Sequence, residues 1–140
     1  MTPAEVLKLL PRQRPARFID EIVELDAEHI VARYTWREDD CTGHFPGNPV
    51  VPGVKMLEMS AQTGCVAWGL HRSDGRLPAE HLTRSFGHVE KGSFKKMVRP
   101  GDTVVCTARA AAAGEGLIDV EVRFSGGPQD GESVFTGVLG

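Results

Sequence analysis

Cysteine is scarce and unpaired in this chain of 140 residues: Cys41, Cys65 and Cys106 are isolated, odd in number and without metal-ligand spacing. Neither a disulfide framework nor a metal centre is expected, and reduced thiols fit a cytoplasmic protein. An excess of one charge is also lacking. Sixteen Lys and Arg stand against nineteen Asp and Glu, for a net charge of −3, so no global attraction to nucleic acid is expected. No apolar run approaches the length of a membrane span. The stretch MTPAEVLKLLPRQRPARF lacks the continuous apolar core of a secretory signal and reads instead as a short amphipathic helix over 3–9. Aromatic residues make up only 6%, yet hydrophobic residues reach 41%, enough for a core and too many for a disordered chain. One domain over 1–140 is expected.

What is present is a run of short strand signals around one helix. RFIDEIVELDAEHIVARYTW (17–36) alternates imperfectly about a polar DAEH break, which predicts two strands and a turn. Residues 36–53, rich in proline and turn formers, predict a loop. VKMLEMSAQTGCVAWGLHR (54–72) has no proline and is small or apolar on most faces, which predicts a buried helix. RSDGRLPAEH (72–81) predicts a polar loop. Strand-like segments follow, LTRSFGHVEKGSFKKMV, DTVVCTARAAAA, GLIDVEVRFS and ESVFTGVLG, punctuated by Gly, Pro and Asp, with AAAGEG as a hairpin tip. A sheet with one apolar face must cover it. Wrapping five to seven mostly antiparallel strands around the one long helix gives an α+β fold of hot-dog architecture.

GHFPGNPVVPGVKMLEMSAQ (43–62) places a histidine before a Pro/Gly turn and an acid among apolar helix neighbours. The segment resembles the active-site stretch of the β-hydroxyacyl-acyl-carrier-protein dehydratases of type II fatty-acid synthesis. LLPRQRPARFIDEIVEL and GSFKKMVRPGD resemble that family's N-terminal segment and its later strand with a Pro-Gly-Asp turn, so the match runs in order over nearly the whole chain. The resemblance implies removal of water from a 3-hydroxyacyl chain on an acyl carrier protein, without a cofactor, in fatty-acid or specialised polyketide or polyene synthesis. It implies His44 as base and Glu58 as acid, because imidazole titrates near working pH and an apolar setting suits a carboxyl that keeps its proton. The glutamate at this position is associated in the family with dehydration alone. The bland alternatives are a loop histidine and an ordinary polar stripe of Lys55, Glu58 and Gln62.

VVPGV opens the helix, where amide donors have no intrahelical partner. By resemblance the Gly53 N–H, with Val54, polarises the thioester carbonyl, and the Val50 carbonyl orients His44. Gln62, one turn past Glu58, is placed to hold its carboxyl group. The resemblance also implies a homodimer or a larger assembly of dimers, with His44 and Glu58 of one site on different chains. Acyl carrier proteins are acidic, and Lys91, Lys95, Lys96 and Arg99 form the basic cluster best suited to dock one. The other reading of that cluster is a solvated strand face. His29, His71, His81 and His88 are scattered and carry no implied role, and Trp36 and Trp68 read as core or interface.

One stretch departs from the family pattern. Arg12, Arg14 and Arg17 stand in a segment that is largely aromatic and apolar in the family and lies near the substrate tunnel. This weakens the expectation of a long, purely alkyl substrate, unless all three arginines are merely solvated. Two other function classes fit the same fold, a thioesterase that hydrolyses the acyl group and a non-catalytic acyl-binding subunit.

Overall fold

The structure is a computed structural model that describes all residues from 1 to 140. Helix α1 (Pro3–Leu9) starts at Thr2, whose side chain accepts from the Glu5 N–H while Glu5 returns the bond. Strands β1 (Glu21–Leu25) and β2 (Ile30–Thr35) flank the polar break. A 3₁₀ turn (Glu38–Cys41) and an irregular loop lead to α2 (Gly53–Ala61). α2 continues through a π-helical stretch (Gln62–Ala67) into α3 (Trp68–Arg72), so one continuous helix spans residues 53 to 72.

Six antiparallel strands form one sheet in the order β1-β2-β4-β5-β6-β3, with β3 at Val89–Phe94, β4 at Thr103–Ala110, β5 at Ile118–Phe124 and β6 at Ser133–Leu139. AAAGEG lies at the tip between β4 and β5. Every second residue of β5 (Ile118, Val120, Val122, Phe124) is buried, and Val104, Cys106 and Ala108 continue that inner face on β4. The central helix lies across it. Gly64 marks the closest approach, since a Cβ there would sit 2.9 Å from Ile118 Cγ2 and 3.0 Å from the Ala108 Cβ. Ser60 and Thr63 are also buried, and each hydroxyl donates to a carbonyl four residues earlier, so no polar group is stranded in the helix–sheet contact.

The α+β hot-dog expectation holds, with one local correction. Residues 82–98 do not form one strand-like segment. Their start belongs to a short helix, α4 (Ala79–Arg84), and β3 is confined to Val89–Phe94. Pro78 precedes that helix, Glu80 lies in its first turn and His81 and Arg84 in its last, so its charges oppose the helix dipole. Trp36 and Trp68 are both core residues. Trp36 packs with Phe18 and Tyr34, and the Trp68 indole N–H donates to the Asp26 carbonyl.

Candidate active site

The loop that carries His44 is built from backbone bonds. The His44 N–H donates to the Cys41 carbonyl at 2.8 Å, and the Val50 N–H returns to the His44 carbonyl at 2.8 Å. Phe45 and Asn48 exchange N–H···O bonds, closing a turn whose Gly47 has a φ of 73°. Val51 is tied to the Val98 carbonyl. At the loop's entry, buried Asp40 accepts from the Tyr34 hydroxyl at 2.7 Å and from the Arg37 N–H at 3.0 Å. Burial, aided by this bond to Asp40, pushes the Tyr34 phenol up from its ordinary range. Lys55 Nζ donates to the Asp40 carbonyl, linking the loop to the helix it precedes.

The His44 ring is half-buried, and its Nδ1 lies 3.0 Å from the Val50 carbonyl oxygen. A carbonyl only accepts, so Nδ1 carries the hydrogen, and in the neutral ring the lone pair is on Nε2. The Phe45 ring stacks on the imidazole at 4.2 Å between centroids.

Glu58 is held by three side chains, one from the next turn of its own helix and two from distant parts of the chain. Its Oε1 lies 3.0 Å from Arg12 Nε, accepts from Ser85 Oγ at 3.0 Å and accepts from Gln62 Nε2 at 3.1 Å. None of these groups bonds to Oε2. The apolar setting expected from its sequence neighbours is not what surrounds the carboxyl, because donors far away in sequence reach it. Gln62 is itself locked: its amide N donates to the Ala16 carbonyl and its amide O accepts the Phe18 N–H. Arg12 also donates to the Leu82 and Thr83 carbonyls at the end of α4. It is therefore no solvated arginine. Arg14 pairs with Asp20, while Arg17 Nε is buried without a partner. Burial, and then the negative charge of Glu58, push the nearby Cys65 thiol up to about 11.

At the start of the central helix the Gly53 and Val54 N–H groups have no hydrogen-bond partner, since the first bonds back to Pro52 come from Lys55 and Met56. The space a Gly53 side chain would take is filled by the Phe94 ring, 3.1 Å from where its Cβ would stand. A protein side chain, rather than open substrate space, therefore adjoins that α-carbon. Lys91, Lys95, Lys96 and Arg99 are all exposed, Lys91 on β3 and the others beyond it. Arg99 donates to the Asn48 side chain at 2.7 Å, which gives it a structural tie to the His44 loop.

Glu58 opens onto a groove of about 630 Å³ whose lining includes Arg12, Phe18, Val54, Leu57 and Phe86 but not His44. Within one chain the structure brings Arg12, Gln62 and Ser85 to Glu58, and Val50 to His44, but no contact joins His44 to Glu58. Sequence reasoning missed Ser85 altogether and met Arg12 only as a departure. Ser85 has a φ of 66°, a left-handed backbone that no local motif announced.

The ApeI dehydratase family model matches residues 24–132. The 3-hydroxyacyl-acyl-carrier-protein dehydratase FabZ of Oenococcus oeni is 43% identical over 108 residues, covering 74% of this chain and 73% of that protein. The chain belongs to this dehydratase family. FabZ of Thermus thermophilus is 38% identical over 121 residues, which are 85% of this chain and 82% of that dehydratase. Solved structures extend the likeness at the level of fold. The dehydratase heterocomplex ApeI:P from Xenorhabdus doucetiae has a TM-score of 0.58 at 15% identity, covering 88% of this chain and 95% of that one. The uncharacterized protein PH1136 from Pyrococcus horikoshii has a TM-score of 0.63 at 15% identity over 99% and 92%. No helix of this dehydratase is long and apolar enough to cross a membrane.

Proposed function

We propose that the chain converts 3-hydroxyacyl groups on acyl carrier protein to trans-2-enoyl groups, with His44 of one chain and Glu58 of a second as the acid–base pair, in the cytoplasm. The observation that carries this reading is the Nδ1–H bond of His44 to the Val50 carbonyl, which leaves Nε2 as a base. Nε2 takes the proton from C2. The electron pair passes into the thioester, whose carbonyl oxygen meets the free Gly53 and Val54 N–H donors at the helix start. As the C2=C3 bond forms, the C3–O bond breaks and the hydroxyl leaves as water with a proton from Glu58. When Glu58 takes up the proton it sits on Oε2, the oxygen left free for substrate, because Oε1 is occupied by three donors. The proton on His44 then passes back to Glu58 through solvent to reset the site.

Two features support a site completed by a second copy. The groove at Glu58 is lined by no histidine. Strand β3 is exposed along its whole length at the sheet edge, with Val89, Phe94 and Met97 as large exposed apolar side chains on and just beyond it, and such an edge invites a partner. Docking of the acidic carrier is assigned to Lys91, Lys95, Lys96 and Arg99. The test is to incubate the protein with a 3-hydroxyacyl carrier and follow its mass. Loss of water is the expected result. Release of the acyl group would make the chain a thioesterase, and an unchanged carrier would make it a binding subunit.

A further inference from the structure

On the central helix Gln62 is hydrogen-bonded to Glu58, and past the start of the π-helical stretch Cys65, Gly69 and Arg72 follow as a row that borders one cavity. Cys65 lies ~10 Å and Arg72 ~20 Å past Glu58 along the axis. The far part of this row, with α4, encloses a second cavity of about 190 Å³ lined in part by Cys65, Gly69, Arg72, His81, Arg84 and Ile118. Ser85, whose hydroxyl donates to Glu58, is in its wall, and Phe86 borders both this cavity and the Glu58 groove. The two spaces are therefore neighbours, with Phe86 common to both.

The chemistry of the end wall is cationic. Arg72 is stacked on Trp68, its Cζ 4.5 Å from the ring centroid. Arg84 lies against Gly87, where a Cβ would stand 3.3 Å from its Cζ, so glycine makes room for the guanidinium. Both residues are exposed, and neither guanidinium donates a hydrogen bond or forms an ion pair. His81 adds a third nitrogen group, and its one acidic neighbour is Glu80 at 3.9 Å. Two positioned guanidinium groups with free N–H forks match a planar oxyanion.

We propose that this cavity binds an oxyanion carried by the substrate, namely a carboxylate at the far end of the acyl chain, so that the enzyme acts on acyl groups with an acidic terminus. The inference rests on the dehydratase reading above. The phosphate of the carrier's prosthetic arm shares the same chemistry, and the test separates the two sources. Length-matched 3-hydroxyacyl N-acetylcysteamine thioesters, which carry no phosphate, are compared with a methyl, a carboxylate or a methyl-ester terminus. The wild type is expected to favour the carboxylate in kcat/KM by about 10-fold, the scale of a charge-assisted hydrogen bond. The Arg72→Gln/Arg84→Gln double variant is expected to lose that preference and keep its rate on the methyl-ended chain. Equal rates for all three termini in the wild type, or an equal loss on all three in the variant, would overturn the proposal. A loss that appears only on pantetheine thioesters bearing the phosphate, whatever the terminus, would overturn the acyl-end assignment. If the wild type dehydrates none of these substrates, nor a carrier-bound one, the dehydratase reading itself falls. Dehydration without end-group preference sinks only this inference.

Discussion

The two halves of the site are held in place by different means. His44 is oriented by backbone: its ring meets the Val50 carbonyl, and its own N–H and C=O close the loop on Cys41 and Val50. Glu58 is oriented by side chains, with Arg12, Gln62 and Ser85 converging on one oxygen. Backbone support depends on the path of the chain, which Gly and Pro fix locally. Side-chain support depends on separate residues, two of them brought from far away, any one of which a single substitution removes. The base should therefore tolerate changes around it, and the acid should not.

The largest effects come from removing the groups themselves. His44→Ala and Glu58→Gln should each lower turnover by on the order of 10²–10⁴-fold. Near-wild-type turnover in either variant would end the assignment. Mixing the two inactive proteins under subunit exchange should restore part of the activity, because a mixed dimer holds one intact site. No recovery despite exchange shown by mass spectrometry would place the pair within one chain.

A smaller loss separates the two kinds of support. Arg12→Ala should lower kcat by about 10- to 100-fold with little change in KM, since it removes a charged partner of Glu58. Ser85→Ala should cost less, on the order of a few-fold, as a neutral hydrogen bond does. Val50→Ala keeps its carbonyl and should leave kcat near wild type. If Val50→Ala were as damaging as Arg12→Ala, the contrast between the halves would be wrong. Arg12→Ala also frees the end of α4 from its two carbonyl bonds. A thermal melt of each variant therefore shows whether lost turnover reflects lost fold.

This contrast also explains what the sequence made legible. The His44 loop, the Pro-Gly helix start and the Gln62 turn lie in one contiguous stretch, so a family resemblance can point to them, and the alternation of β4 and β5 announces the sheet. Arg12 and Ser85 reach Glu58 across intervals of 46 and 27 residues, and no periodicity encodes such a meeting. Residues 79–84 read as loop and strand because six residues, none of them buried, are too few to show a helical period.

Carrier docking should move neither half. Reversing the charge of Lys95 and Lys96 should raise KM for a carrier-bound substrate by roughly an order of magnitude at low salt, with kcat kept and the effect shrinking as salt is added. A small thioester has no carrier to dock and should be spared. Equal losses on both substrates would make the patch structural. Arg99 is the poorer probe, because its bond to Asn48 ties it to the His44 loop.

The smallest expected effect reads the charge at Glu58 directly. Cys65 lies on the same central helix, and its thiol is pushed up to about 11, first by burial and then by the Glu58 charge. Both causes disfavour the thiolate, so alkylation of Cys65 should be slow at neutral pH. Its rate should climb about tenfold per pH unit and level off near the raised value. Glu58→Gln removes the second cause and leaves burial, so alkylation below that plateau should quicken a few-fold, on the scale of a partly screened charge contact. His44→Ala, in the half held by backbone, should leave the rate unchanged. The readout is the mass of the Cys65 peptide after timed exposure to a small alkylating agent, with buried Cys106 as the internal reference. An unchanged rate in Glu58→Gln would mean that the carboxylate does not act on this face of the helix. An equal rise in both variants would mean that loosening of the fold, not charge, exposes the thiol.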